Sequence, residues 1–276
     1  MLIIGLTGSI ATGKSTVSRI LSQPPYSLPI IDADLLARKV VEPGTPGYRA
    51  ILKHFLPTTP DLLVPVGPDM PEDGPDGKGR PINRPVLGRR VFGDGEEETK
   101  NRKVLNGIVH PAVRWEMFKA VMKAYFQGYQ AVVLDVPLLF ESRLDRFCGS
   151  VVVVAVSDPE TQLARLRARD PHLTEEDARR RVISQGDVRE KATRAETRGK
   201  GRGAVVWNDG DREDLKREVD KVVKELLGEG VTRGYSPRWW AWLLWGCPPL
   251  AAAVAAWEYN KNQKANKDWE RERAKL

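Results

Sequence analysis

Residues 8–15 read Gly-Ser-Ile-Ala-Thr-Gly-Lys-Ser, the spacing G-x-x-x-x-G-K-[ST] of a phosphate-cradling loop. Each fixed position has a physical task. Gly8 and Gly13 let the backbone curl until consecutive N–H groups face one concavity and hold phosphate oxygens. Lys14 brings a point charge to the β- and γ-phosphates, and the Ser15 hydroxyl is of the kind that ligates Mg²⁺. A helix opening at this point adds the favourable end of its dipole.

Further along are acids and bases of the sort phosphoryl transfer uses. Asp32 and Asp34 follow the apolar run Pro29-Ile30-Ile31, at the carboxyl end of a predicted strand, where open α/β sheets bind ligands. On an extended segment alternate residues point the same way, so both carboxylates could face one cleft. Transfer to an alcohol needs a group that accepts the hydroxyl proton and aims the oxygen, and Asp34 is the candidate. A pair of capping aspartates before Leu35 is an equally good reading of the same residues. Asp135 ends another apolar strand, as Mg²⁺-associated carboxylates do in phosphate-loop enzymes. Arg165 and Arg169 lie four apart on one predicted helix and share a face that could neutralise a transferring phosphate; Arg167, Arg179, Arg180 and Arg181 read as solvated surface. His110, inside an apolar helical pattern, is by itself a structural histidine.

Strands and helices must position these groups, and the pattern supplies them in alternation. LIIGL at 2–6 predicts a buried strand before the loop, and Val17, Ile20 and Leu21 fall at helical spacing after it. Strands are predicted near 131–136, 151–156 and 204–207. Helices are predicted near 104–125, after Asp158-Pro159, after Thr174-x-x-Asp177, and up to Gly228. The alternation argues for a parallel sheet with helices on both faces. Two stretches, 57–85 and 191–203, are rich in proline, glycine or charge and read as surface insertions.

The chain has 276 residues, 41% hydrophobic, enough for one large domain with subdomains. Its net charge of +7 suits anionic ligands. Nucleic acid is not expected, because no stacking aromatics interleave the basic stretches. Cys148 and Cys247 form neither a zinc pattern nor a disulfide framework, so a reducing, cytoplasmic setting is expected. The N-terminus lacks the basic region and cleavage site of a secretory signal. Residues 239–257, WWAWLLWGCPPLAAAVAAW, hold no charge, carry Trp239, Trp240, Trp242 and Trp257 near their ends, and are flanked by Arg238 and Lys261. That composition reads as a membrane segment anchoring the catalytic domain. Pro248-Pro249 interrupts it, and a helical tail packed on the domain or on a partner is the other reading. Residues 228–238 read as a linker and 258–276 as a mobile polar tail.

The motifs, taken together, resemble the dephospho-coenzyme A kinase family. After the loop come IIDADLLARKVVEPGTPGY, INRPVLGRRVFGD (82–94), IVHPAV (108–113), LDVPLLFES (134–142), the 151–170 segment, VISQ (182–185) and VVWNDG (205–210). The resemblance spans nearly all of residues 1–227. It implies a phosphate-loop kinase core with a five-stranded parallel sheet, a helical coenzyme-binding subdomain and a small lid. It implies transfer of the ATP γ-phosphate to the ribose 3′-hydroxyl of dephospho-CoA, with ATP and Mg²⁺. Carried over by residue, Gly8, Ser9, Ile10, Ala11, Thr12, Gly13, Lys14, Ser15 and Thr16 would bind ATP. Asp34 would be the base, with Asp32 and His110 at the acceptor, and Arg169 and Arg165 in the lid. Gln185 and Asn208 would lie near the adenine, and Ser15 and Asp135 near the metal. Another nucleotide kinase on the same scaffold, or a non-catalytic membrane-associated nucleotide binder, are the alternatives.

Overall fold

The computed structural model describes residues 1–93, 95–228 and 246–275. Two compact units share the chain: Met1–Ile31 with Lys123–Leu276, and Asp32–Met122.

The first unit is built on a five-stranded sheet. Its strands are β1 (Leu2–Gly8), β2 (Ile30–Asp32), β3 (Ala131–Asp135), β4 (Ser150–Ala155) and β5 (Gly203–Trp207), in the order β2-β3-β1-β4-β5. The β1–β3, β1–β4 and β4–β5 pairs are parallel. β3 and β4 are buried at every position, and runs such as Val-Val-Val-Val are what a sheet covered on both faces selects. Helices α1 (Lys14–Ser22) and α9 (Arg212–Leu227) cover one face, where Val17, Leu21, Leu215 and Val219 meet Ile4, Leu6, Val152 and Val154. The opposite face needs close approach. A Cβ on Gly5 would sit 2.7 Å from Leu139, and one on Gly203 would sit 1.7 Å from the Ala195 carbonyl.

That carbonyl belongs to α8 (Val188–Glu196), which lies where a surface insertion was expected over 191–203. The expectation is corrected. Val188, Lys191, Ala192 and Ala195 are buried, and α8 packs on β4 and β5. The stretch reads as solvated because of its charges, yet the charges have partners: Lys191 lies 2.8 Å from Glu141, and buried Arg198 lies 3.1 Å from fully buried Asp145.

The second unit holds α2 (Ala33–Lys39), α3 (Pro46–Phe55), α4 (Arg84–Val91) and most of α5 (Glu96–Phe126). Its core gathers Tyr48, Ile51, Phe55, Leu62, Ile82 and Val91. Leu62 and Ile82 come from the 57–85 stretch, which is irregular as expected but rooted in this core rather than lying on the surface throughout. Leu63 and Ile82 form an antiparallel bridge, and the Tyr48 hydroxyl donates to the Arg80 carbonyl at 2.7 Å. Isolated apolar residues in a polar loop carry no period, so the pattern does not announce them.

The C-terminal expectation changes most. Residues 239–245 lie outside the described residues. Pro248 and Pro249 open a helix, α10 (Pro248–Arg273), instead of breaking one; the first turn is where proline costs no hydrogen bond. Among the described residues no helix is long and apolar enough to cross a membrane. The polar stretch after 257 is helical rather than mobile, and it packs against the short turn Leu144–Phe147. Asn262 and Asn266 are buried there. Asn262 donates to the Arg146 and Cys148 carbonyls at 2.9 Å each and accepts from Arg198 at 2.8 Å. Asn266 donates to Asp145 at 2.7 Å and accepts from Arg194 at 3.2 Å. Packing on the domain is thus seen from Glu258 onward, beyond the 239–257 segment, whose residues 252–257 are exposed.

Candidate active site

The phosphate loop joins the carboxyl end of β1 to α1. Ala11 and Gly13 adopt positive φ, +61° and +94°, which curls the chain. Neither glycine of the motif could carry a side chain cheaply. A Cβ on Gly8 would meet the Val154 carbonyl at 2.7 Å, and one on Gly13 would meet Asn208 Nδ2 at 2.3 Å. The turn is pinned inside by Thr12, fully buried, whose hydroxyl donates to the Ser9 carbonyl at 2.9 Å. The first amides of α1 have no partner within the helix, so an anion can take them. The Lys14 ammonium is ion-paired with Asp135, a carboxylate that is almost wholly buried.

Side chains from three other segments close on this loop. Asn208, just past β5, donates from Nδ2 to the Thr12 carbonyl at 2.8 Å. Arg165, on α6 (Pro159–Arg169), donates to the Asn208 carbonyl at 2.7 Å. Gln185, at the end of α7 (Glu175–Ser184), accepts from the Ile10 amide at 2.7 Å. Ile10 and Ala11 also pack against Leu163, Leu166 and Ala178, so the α6–α7 pair sits on the loop itself. Both helices start as their sequences promise. Asp158 accepts from the amides of Glu160 and Thr161, and Thr174 from that of Asp177. Hydrogen bonds, the Thr161 hydroxyl first, hold the Asp158 carboxyl below the usual range.

Arg169 is placed differently from Arg165. It is exposed, and its guanidinium bonds Asp170 at 3.0 and 3.3 Å. The hydrogen bond from Arg169 is the main cause that lowers the Asp170 carboxyl. Ser15 is exposed at the mouth of the loop, while Asp135 is buried behind Lys14.

In the second unit, Asp32 ends β2 and caps α2, its carboxylate accepting from the Leu35 amide at 2.9 Å. Asp34 is already in the first helical turn. The extended geometry expected to aim both carboxylates into one cleft is therefore absent, because the chain turns into helix at Ala33. Asp34 is exposed and lines a cavity of about 420 Å³ together with Arg38, Glu42 and Arg84. Val41, Ile51, Ile82, Leu87 and Val109 supply its apolar wall. His110 is exposed on α5 and is not among the residues lining this cavity; its neighbour Val109 is.

The family profile described as dephospho-CoA kinase matches residues 2–203. The chain belongs to the dephospho-CoA kinase family. Its similarity to dephospho-CoA kinase CAB5 of Saccharomyces cerevisiae is 43% identity over 226 residues, 82% of this chain and 83% of the yeast protein. The dephospho-CoA kinase of Bacillus cereus is 42% identical over 222 residues, 80% of this chain and 96% of the bacterial one. Among solved structures, a dephospho-CoA kinase from Campylobacter jejuni superposes with a TM-score of 0.56 at 26% identity, covering 81% of this chain and 96% of that one. The dephospho-CoA kinase core thus has the α/β architecture with a five-stranded sheet that the motifs imply.

In this dephospho-CoA kinase family member, the described contacts bring together Lys14, Asp135, Arg165, Gln185 and Asn208 around the loop. Two residues of the same cluster carry no motif. Gln162, buried on α6, donates to the Ile10 carbonyl at 2.7 Å, and buried Thr7 donates to the Pro137 carbonyl at 2.8 Å. Gln162 was findable: it stands beside Leu163 and four before Leu166, on the apolar stripe of α6, where a polar residue needs a partner. Arg38 and Arg84 of the cavity lacked such a signal, since charged helix residues usually face solvent.

Proposed function

We propose that the chain transfers the γ-phosphate of ATP to the ribose 3′-hydroxyl of dephospho-CoA, giving CoA and ADP. Family membership makes it an ATP-dependent kinase of coenzyme A synthesis. The observation that carries the reading is the pre-curled phosphate loop, with Lys14 held ready by a buried carboxylate and the loop backbone clamped by Asn208 and Gln185.

Residues 8–16 would hold the ATP phosphates, Lys14 turning its charge to the β- and γ-oxygens. Arg165 would add charge beside them, and Arg169 would have to leave Asp170 to join it. The transition state is loose, with charge spread over the γ-phosphoryl oxygens, so positioning and electrostatics supply most of the rate. Asp34 would accept the 3′-hydroxyl proton as the new P–O bond forms and the β–γ bridging bond breaks. The cavity beside Asp34 suits the acceptor: Arg38 and Arg84 match its pyrophosphate, and the apolar wall matches its pantetheine arm. We assign the catalytic region to residues 1–227.

The donor set also fits Mg²⁺. A small hard cation takes few protein oxygens and keeps water and phosphate for the rest. The Ser15 hydroxyl would be its ligand, with the carboxylate of Asp135, the partner of Lys14, as a further oxygen donor. When bound, the ion neutralises charge on the β- and γ-phosphates.

A coupled ADP-release assay with dephospho-CoA, AMP, dTMP and adenosine tests the proposal. Dephospho-CoA is expected to stimulate ADP release far more than the others. Equal or greater stimulation by another acceptor, or no turnover with any, ends it.

A further inference from the structure

Helix α10 changes character along its length. From Glu258 onward it reaches back to the first unit: Glu258 pairs with Arg202 at 2.9 Å, and Asn262 and Asn266 are buried. From Ala252 to Trp257 it is uncovered. Residues 252–257, Ala-Ala-Val-Ala-Ala-Trp, are exposed at every position, with Val254 at 44% and Trp257 at 60%. Successive helix residues are about 100° apart, so six exposed in a row cover every direction around the axis. The helix here is apolar all round, the pattern of a segment surrounded by an apolar medium. A protein groove, or a second copy of the chain, would cover one stripe and leave the rest in water.

Length and charge point the same way. Within α10 the apolar residues Pro248 to Trp257 rise about 15 Å at 1.5 Å per residue, against the ~30 Å hydrocarbon core of a bilayer. At its base stand exposed Phe147, whose ring lies 5.5 Å from Tyr259, and Lys261, whose ammonium lies 5.0 Å from the Trp257 ring. Aromatic rings beside cations are the composition of a membrane–water boundary. Arg143 is exposed in the same turn region as Phe147, and Glu258, the nearest carboxylate on α10, is already paired. An anionic headgroup layer is the complementary surface.

We propose that the apolar half of α10 seats this protein on an anionic lipid surface, entering one leaflet without crossing it, while the polar half fixes the helix to the first unit. The proposal stands apart from the kinase reading and survives or fails without it.

Co-sedimentation of the full chain with vesicles of phosphatidylcholine and phosphatidylserine tests it, against phosphatidylcholine alone. Binding is expected to the mixed vesicles, weakening as salt rises. Leu250→Glu with Val254→Glu is expected to weaken it by more than roughly tenfold, since two side chains lose apolar burial. Kinase activity should be kept, because neither residue is in the catalytic machinery. Lys261→Glu with Arg143→Glu should weaken binding to the mixed vesicles only. Exposed Cys247 at the start of α10 is a built-in reporter, as Cys148 is buried and its thiol is pushed up to about 12. A polar maleimide should label Cys247 more slowly once vesicles are added. The proposal is overturned by no sedimentation at low salt, or by equal binding of the double glutamate variant. It is also overturned by a dimer that this variant abolishes, or by cleavage of the C-terminal end by protease sealed inside the vesicles.

Discussion

At the residue scale the phosphate loop leaves little room for substitution. Gly13→Ala would place a methyl group 2.3 Å from the Asn208 amide and force an L side chain to a φ of +94°. ATP binding should fall sharply in that variant, measured by calorimetry on the intact enzyme. Asn208→Ala is milder: it removes one neutral hydrogen bond to Thr12, about 1 kcal/mol, so ATP affinity should drop about fivefold with turnover less affected. Asp34→Asn separates chemistry from binding. Turnover is expected to fall by roughly 10²–10⁴-fold while ATP affinity stays near its original value, because proton acceptance acts only on the transferring step. Undiminished turnover would remove Asp34 as the base. The loop was legible residue by residue, since its chemistry depends on fixed local spacing. The partner of Lys14 was not. Asp135 lies 121 residues away and meets the lysine only because β1 and β3 run side by side.

At the scale of elements, the α8–α10 contact is the least expected part of the molecule. Polar groups hidden on each side are satisfied by the other: Arg194 of α8 and Arg198 just beyond its end on one side, Asn262 and Asn266 of α10 on the other. Burial lowers the proton affinity of the Arg198 guanidinium, and Asp145 counters it. Such a pair costs most when one half is removed. Arg198→Leu should lower the stability of the full chain by about 3–5 kcal/mol in urea unfolding, and adding Asp145→Leu should recover a large share. A smaller loss in the single variant than in the double would show that the pair is not coupled. α8 and the second half of α10 carry so many charged side chains that their periodicity reads as solvated surface. A charge buried by ion pairing looks the same in sequence as one in water. Helices with capping sequences, by contrast, begin where expected. Thr174 and Asp158 bond amides two or three residues ahead, and that interaction needs nothing from the rest of the chain.

For the whole molecule, several aspartates are more acidic in the folded state than in an open chain. Asp158 is lowered by the Thr161 hydroxyl first, Asp187 by the Arg189 side chain first, and Asp214 by Arg217 first. As pH falls below about 4, the unfolded chain takes up protons before the folded one does. The contribution of these groups is thus complete above the ordinary carboxyl range and is lost as pH falls through their lowered native values. The melting temperature should be level in this respect near neutrality and decline from roughly pH 5 towards pH 3. A flat profile over that interval would rule these carboxylates out as a source of stability.

The amino-acid order was enough to announce a strand–loop–helix phosphate site, an alternating α/β sheet, the cap residues and the family, because each rests on neighbours within a few positions. Packing settled the rest. It turned a charged stretch into a buried helix, set Lys14 against Asp135, drew Arg165, Gln185 and Asn208 onto one loop, and made a proline pair the start of α10. These outcomes depend on partners far away in the chain. The free energy of burying a polar or charged group is set by whether such a partner arrives, and no local pattern encodes that.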